Sequence, residues 1–273
     1  MEQIEKFFTL FLEELKHNQE LRHYHRFINS EKLYTFRRAY YQQRLEYIVK
    51  NLNKNDASIL DVGCGYGTTS ILLGFLGYKV IGTTLEYYYK EIENRLSFWE
   101  NYFDTSKLEF RYENLFKSNY KPGTFDYIIA QDTLHHLEPI NQALSIMSSI
   151  LAPNGKLLVS EENGNNIINN LKNFKRRGNK RIIKIFDEKL GEELMFGNEN
   201  TRSLAKWTSL MREQGLLVEE GNVEYIRVLP PSSYTRKTLQ EVIKKEKELS
   251  KKSKLLREYL FFGINFMAHK AYE

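Results

Sequence analysis

The sequence predicts an α/β fold built on a doubly wound, mostly parallel sheet. Three observations predict it. Short apolar runs alternate with helical patterns from residue 57 to residue 162. The runs are nearly continuous in apolar residues, as strands covered on both faces must be. The first run ends in a glycine-rich loop that opens a helix, and crossovers of this kind join parallel strands.

The elements follow in order. Residues 1–16 carry Ile4, Phe7, Phe8, Phe11, Leu12 and Leu15 at helical spacing, which gives one apolar face. Residues 31–53 read as a second helix, rich in Tyr and Arg. SILDV (58–62) reads as a buried strand and TTSILLGFLG (68–77) as a helix stopped by Gly77. YKVIGTT (78–84), KLEFRY (107–112), TFDYIIAQ (124–131) and KLLVSEE (156–162) read as further strands. Helices are expected over 86–102 and 138–151, the latter ending at Pro153-Asn154-Gly155. From residue 163 the periodicity loosens. A helix is expected at 202–214, a strand within 217–229, a Lys-rich helix at 235–258 and a last strand at 260–270. The division expected is an N-terminal helical cap or lid at 1–53 and one sheet domain at 54–273, with an insertion at about 163–200.

Composition sets the class. The chain has 273 residues, 41% hydrophobic and 27% charged, which is ordinary for a folded water-soluble domain. No apolar run approaches the roughly 20 residues of a membrane-spanning helix. Charges at Glu2, Glu5, Lys6, Glu13 and Glu14 interrupt any signal-peptide core. Cys64 is the single cysteine, so no internal disulfide forms, and a cytoplasmic setting is expected.

The most informative segment is ILDVGCGYGTTS (59–70). Glycines serve where φ is positive or a ligand meets the backbone, and the helix behind them offers free N–H groups. A dinucleotide fingerprint G-x-G-x-x-G would need its third glycine at position 68, which is Thr68. No Gly-Lys-Ser/Thr follows, so the loop is no nucleoside-triphosphate loop either. The spacing is G-x-G-x-G, headed by an acid. In this it resembles the first motif of the class I S-adenosylmethionine-dependent methyltransferases, and the order of elements over roughly residues 57–162 agrees.

The resemblance implies a seven-stranded, Rossmann-like sheet and S-adenosylmethionine as cofactor, with no metal. It implies that Asp61 supports the loop and the methionine amine, and that Gly63, Cys64, Gly65 and Gly67 lie along the methionine and ribose. The family's acidic ribose ligand at the end of the second strand is Thr84 here, with Glu86 two residues on, and either or both could serve. Asn114 and Leu115 match the adenine positions, while Gln131 and Asp132 match the strand tip at the methionine end. Asn114 and Asp132 could instead act as helix caps.

Methyl transfer needs a base only if the acceptor atom carries a proton. His135, His136, Glu161 and Glu162 are the candidates. Adjacent residues seldom share one cleft, so one histidine is expected to face the acceptor, with a slight preference for His135. Strand alternation should likewise aim one of the two glutamates inward.

Positive charge clusters twice, between Lys172 and Lys184 and between Lys244 and Lys254. The second cluster lies on an amphipathic pattern containing Val242, Ile243 and Leu249. A solvated face, an anionic substrate or membrane surface, and RNA are the readings. The function expected is methylation of a small-molecule or lipid-like acceptor, with peripheral membrane contact through the Lys-rich helix. The alternatives are an RNA methyltransferase and a catalytically silent binding protein. Oligomeric state is not legible.

Overall fold

The computed structural model describes residues 2–28, 31–85, 87–234 and 237–271. Three N-terminal helices, α1 (Glu2–His17), α2 (Gln19–His25) and α3 (Glu31–Asn51), precede the sheet. Then come β1 (Ser58–Val62), α4 (Thr68–Phe75), β2 (Lys79–Thr84), α5 (Ile92–Trp99), β3 (Leu108–Tyr112), β4 (Phe125–Gln131), α6 (Ile140–Ile150) and β5 (Leu151–Glu162). The later chain forms α7 (Ile167–Arg177), β6 (Ile182–Asp187), β7 (Glu192–Gly197), α8 (Leu204–Glu213), β8 (Leu216–Val218) and β9 (Glu224–Ile226). It ends in α9 (Leu239–Lys252), α10 (Lys254–Leu260) and β10 (Gly263–Lys270).

The main sheet runs β3-β2-β1-β4-β5-β10-β8, with the short β9 also paired to β10. Strands β1 to β5 are mutually parallel, and β10 is antiparallel to β5. The order reverses at β1, between β2 and β4. This is the switch point at which open parallel sheets bind ligands. Among the described residues this sheet has eight strands, one more than the seven expected. The single strand expected in 217–229 is two short ones, because a 3₁₀ turn at 220–222 interrupts it.

Period-two alternation sorts the strand residues to two faces. Leu60, Val62, Ile128, Ala130, Leu157 and Val159 pack with α6 and α8. Ile59, Tyr127, Ile129 and Leu158 face the other way, toward α1, α3 and α4. Helix α1 therefore belongs to a main core. Its Phe7 ring stacks on Trp99 of α5 with centroids 5.0 Å apart.

Two segments depart from their sequence patterns. In α7 the polar Asn169 and Asn173 are buried, whereas Ile167, Ile168, Leu171 and Phe174 are all at least half exposed. Asn166 and Asn169 find partners inside, at the Leu260 carbonyl and the Glu162 carboxylate, and these bonds hold the polar face inward. The Lys-rich helix divides into α9 and α10 at Ser253. Helix α9 buries Val242 and Glu246 against the chain. Glu246 accepts from the backbone N–H groups of Val228 and Leu229 at 2.8 and 3.1 Å, and from Gln43 at 3.3 Å. The inward face of α9 is thus occupied, which argues against membrane contact through its apolar stripe. Among the described residues, no helix is long and apolar enough to cross a membrane.

A buried ion pair ties α1 to the rest. Glu14 receives two bonds from Arg95, each 2.8 Å, and one from the Trp99 indole at 3.0 Å. Arg95 also donates to the Tyr66 carbonyl and the Thr68 hydroxyl of the glycine loop, at 2.6 and 2.7 Å. Removing one partner strands the other charge in a water-free site. Glu14→Ala should therefore lose about 3–5 kcal/mol of unfolding free energy. Urea denaturation checks it, and a loss under about 1 kcal/mol would show that water reaches Arg95.

Candidate functional site

A cavity of about 680 Å³ opens over the C-terminal ends of β1, β2 and β4. Its floor is the glycine loop. Gly63, Gly65 and Gly67 all have positive φ, at 66°, 54° and 74°. A Cβ on Gly63 would collide with Thr133, and one on Gly67 with Phe110. A Cβ on Gly65 would meet nothing within 4 Å. Open space therefore lies beside Gly65, where a ligand can approach the backbone. Cys64 and Leu115 also line this region.

Asp61 sits beneath the loop, 1% exposed, and accepts from Ser70 at 2.7 Å. Burial pushes its carboxyl up to about 7. Thr84 and Asn114 line the β2–β3 side. Asn114 caps the following turn through Phe116 N–H at 3.0 Å and donates to Glu192 of β7 at 3.1 Å. Its side chain thus serves as a cap as well as a wall. Glu86 lies outside the described residues. Gln131 lines the cavity and accepts weakly from Thr69 at 3.4 Å.

Asp132 reaches the cavity from a left-handed backbone, φ 51°. Both its oxygens pair with the guanidinium of Arg44 on α3, the Nη2–Oδ1 distance being 2.7 Å. Although burial opposes its charge, Arg44 outweighs that and holds the carboxyl below its ordinary value. Arg44 also donates to Tyr40, whose ring it covers at 4.1 Å. This fork ties the tip of β4 to α3. Sequence reading missed Arg44, Tyr40 and Tyr41, though an Arg- and Tyr-rich helix was the one visible sign of them.

The candidate bases separate. Glu161 is fully buried and accepts from the backbone N–H groups of Thr133 and Leu134, at 3.1 and 2.7 Å. It also bonds His135 Nδ1. The pair lies under the loop after β4, and neither residue lines the cavity, so the expected preference for His135 finds no support in this geometry. Glu162 bonds Asn169 and lines no part of the cavity either. The inward-pointing glutamate anchors a loop because that loop's N–H groups have no other acceptor.

His136 does line the cavity. Its ring stacks on Phe196 of β7, centroids 4.5 Å apart, and Nδ1 lies 2.8 Å from the Gly197 carbonyl. A carbonyl only accepts, so Nδ1 carries the proton and Nε2 of the neutral ring keeps its lone pair. Burial and the neighbouring His135 charge both lower the His136 pKa. For His135, burial disfavours the charge, but Glu161 outweighs burial and raises the imidazole to about 9. At neutral pH one ring is charged and structural, and the other is neutral and faces the cavity.

The raised pKa gives a signed prediction. His135 adds stability that is fully present below its ordinary value of 6.5 and is lost as pH rises through about 9. Unfolding free energy should fall between roughly pH 7 and 9.5, and in Glu161→Gln this slope should flatten while overall stability drops. Parallel slopes in the two proteins would remove the ion pair from the account.

Comparison with known proteins agrees with this architecture. The family described as "Methyltransferase domain" matches residues 33–236. A ubiquinone biosynthesis O-methyltransferase from Xanthomonas euvesicatoria is 31% identical over 120 residues, covering 44% of this chain and 49% of that protein. One from Rickettsia canadensis is 32% identical over 126 residues, covering 44% and 51%. The chain thus spans about half the length of the curated relatives it matches. Among solved structures, geranyl diphosphate C-methyltransferase from Streptomyces coelicolor superposes with a TM-score of 0.58 at 15% identity, covering 84% of this chain and 76% of that one. A methyltransferase from Methanosarcina mazei gives 0.55 at 20% identity, covering 83% and 98%. At such identities the structures share the fold alone. With its family match across most of the sheet, its strand order and its glycine loop, the chain belongs to the class I methyltransferase-domain family, whose methyl donor is S-adenosylmethionine.

Proposed function

We propose that the chain methylates a hydroxyl oxygen of a small or lipid-like acceptor, with His136 as the base. The observation that carries the reading is the neutral His136 ring on the cavity wall, its tautomer held by the Gly197 carbonyl. A lone pair on Nε2 suits removal of a hydroxyl proton. When bound, S-adenosylmethionine supplies a methyl group on a positive sulfur. The open face of Gly65 and the backbone of Gly63 and Cys64 would lie along its methionine and ribose. Ionised Asp61 would face its amine, while Thr84, Asn114 and Leu115 would receive the nucleoside. Tyr40, Tyr41, Phe36 and Phe196 add aromatic wall, which excludes water and favours a planar or apolar acceptor.

The lipid-like part of the reading has its own support. Helix α7 turns Ile167, Ile168, Leu171 and Phe174 outward, and its Lys172 reaches the cavity edge. An apolar approach therefore borders the opening. If the chain touches a membrane surface, α7 offers the apolar face that α9 does not.

Gly65→Val should abolish calorimetric binding of S-adenosylmethionine, since its side chain enters the open space and its φ strains any β-branched residue. Undiminished binding would displace the cofactor from this loop.

His136→Ala should lower turnover of labelled methyl groups onto phenolic acceptors by ~10²-fold or more, with cofactor affinity unchanged. Near-normal turnover in that variant would leave catalysis to positioning alone.

A further inference from the structure

The cavity has a second end that the methyl-transfer reading does not use. It lies toward β5 and β10, away from the nucleoside side at β2 and β3. Arg227 stands there, just past the end of β9. Its backbone is left-handed, φ 60°, a conformation that non-glycine residues seldom adopt. Two bonds hold it so: its N–H donates to Glu246 at 3.3 Å, and its carbonyl accepts from Phe262 N–H at 2.9 Å.

The guanidinium stacks among three rings, Phe36, Tyr40 and Phe262, with centroids 5.2, 4.5 and 4.4 Å away. Its Nε is buried with no hydrogen-bond partner. Among the described residues, no carboxylate forms an ion pair with it. Glu246, the nearest acid along the chain contacts, uses its oxygens on backbone N–H groups and on Tyr234. Asp132 is already engaged by Arg44. A charged group held in a cage with its own counter-ion missing is costly unless a ligand supplies the opposite charge.

Other cations line the same cavity. Arg37, beside Phe36 on α3, donates to the Arg26 carbonyl at 2.9 Å. Burial and the like charge of Arg26 depress its pKa. The carboxylates that remain, Asp61 and Glu113, belong to the cofactor side, where Glu113 already bonds Tyr120.

We propose that this end binds an acidic group of the acceptor, a carboxylate or a phosphate, against Arg227, with Arg37 as the second cation. The proposal rests on the methyltransferase reading and narrows its substrate class. The acceptor is then a molecule with a hydroxyl near His136 and an anionic oxyacid group at the far end. An arginine fork suits both oxyacids, and stacking on aromatic faces presets its plane.

The test uses the whole chain saturated with S-adenosylhomocysteine. Benzoate, phenyl phosphate and neutral benzyl alcohol are titrated separately by ligand-observed magnetic resonance. At least one anion should bind tenfold or more tightly than benzyl alcohol, and the tighter anion identifies the acidic group. Arg227→Met keeps the stacked stem and removes the charge. It should cost that anion tenfold or more, with S-adenosylhomocysteine affinity and melting temperature unchanged. Arg227→Lys should recover part of the loss, and Arg37→Gln should give a smaller loss in a fold that keeps the Arg227 cage. Equal binding of all three probes, or anion binding indifferent to Arg227→Met and Arg37→Gln, would overturn the proposal. Failure of S-adenosylhomocysteine itself to bind would overturn the methyltransferase reading instead.

Discussion

The Arg95–Glu14 pair is the constraint on which the site depends. Arg95 lies on α5, Glu14 on α1, and the remaining donors of Arg95 end on Tyr66 and Thr68 of the glycine loop. One guanidinium therefore fixes three parts of the chain that are distant in sequence. A pair of this kind contributes little net stability over apolar packing, because both ions lose their water. Its contribution is position. The loop carbonyl at Tyr66 must lie where Arg95 can reach it, and that holds the positive-φ glycines in a single conformation. Helix α1 is thereby tied to the glycine loop, although it does not line the cavity.

The strand tips carry four acids with four different surroundings. Asp61 is buried, and burial raises its carboxyl to about 7. Asp132 faces Arg44 and stays charged. Glu161 collects backbone N–H groups and His135. Glu162 meets Asn169, and burial together with Asp132 raises its carboxyl. The histidines divide for the same reason. Glu161 makes His135 a cation, and that cation disfavours a second charge on His136. Pairs whose pKa values are pushed apart mark acid and base roles. Here the partition gives the structural charge to the inner ring and the free lone pair to the outer one.

The strands, their order and the glycine loop were legible because burial on both faces writes a continuous apolar run, and because positive φ demands glycine. SILDV reproduced β1 to the residue, and Asp61, Gly63, Thr84, Asn114 and Gln131, which the family resemblance marked, line the cavity. The insertion was not legible. Helix α7 was not expected, since periodicity loosens there, and its burial follows from Asn166 and Asn169 finding partners inside rather than from its apolar residues. The β6–β7 hairpin is hard to read because it lies outside the main sheet, with one face exposed and Leu194 and Phe196 turned to the cavity. Which histidine faces the cavity depends on Gly197, 61 residues downstream. No local pattern carries such a contact. Arg44 and Arg227 were invisible for the same reason, as their roles arise only when α3 and the loop after β9 meet over the sheet.

Electrostatics connects the two ends of the cavity. A sulfonium donor brings one positive charge to the β1 side, and the described residues add cations at the β5 side. The aromatic walls lower the local dielectric, so these charges would repel one another more than in bulk water. An acceptor with an acidic tail relieves that repulsion before any bond changes. A cationic surrounding also lowers the cost of deprotonating a hydroxyl, which eases the work of a weakly basic imidazole such as His136. With an acidic acceptor of the kind proposed, loss of the donor's positive charge on transfer would weaken the attraction between donor and acceptor. The same charge arrangement thus favours assembly of the reactants over retention of the products.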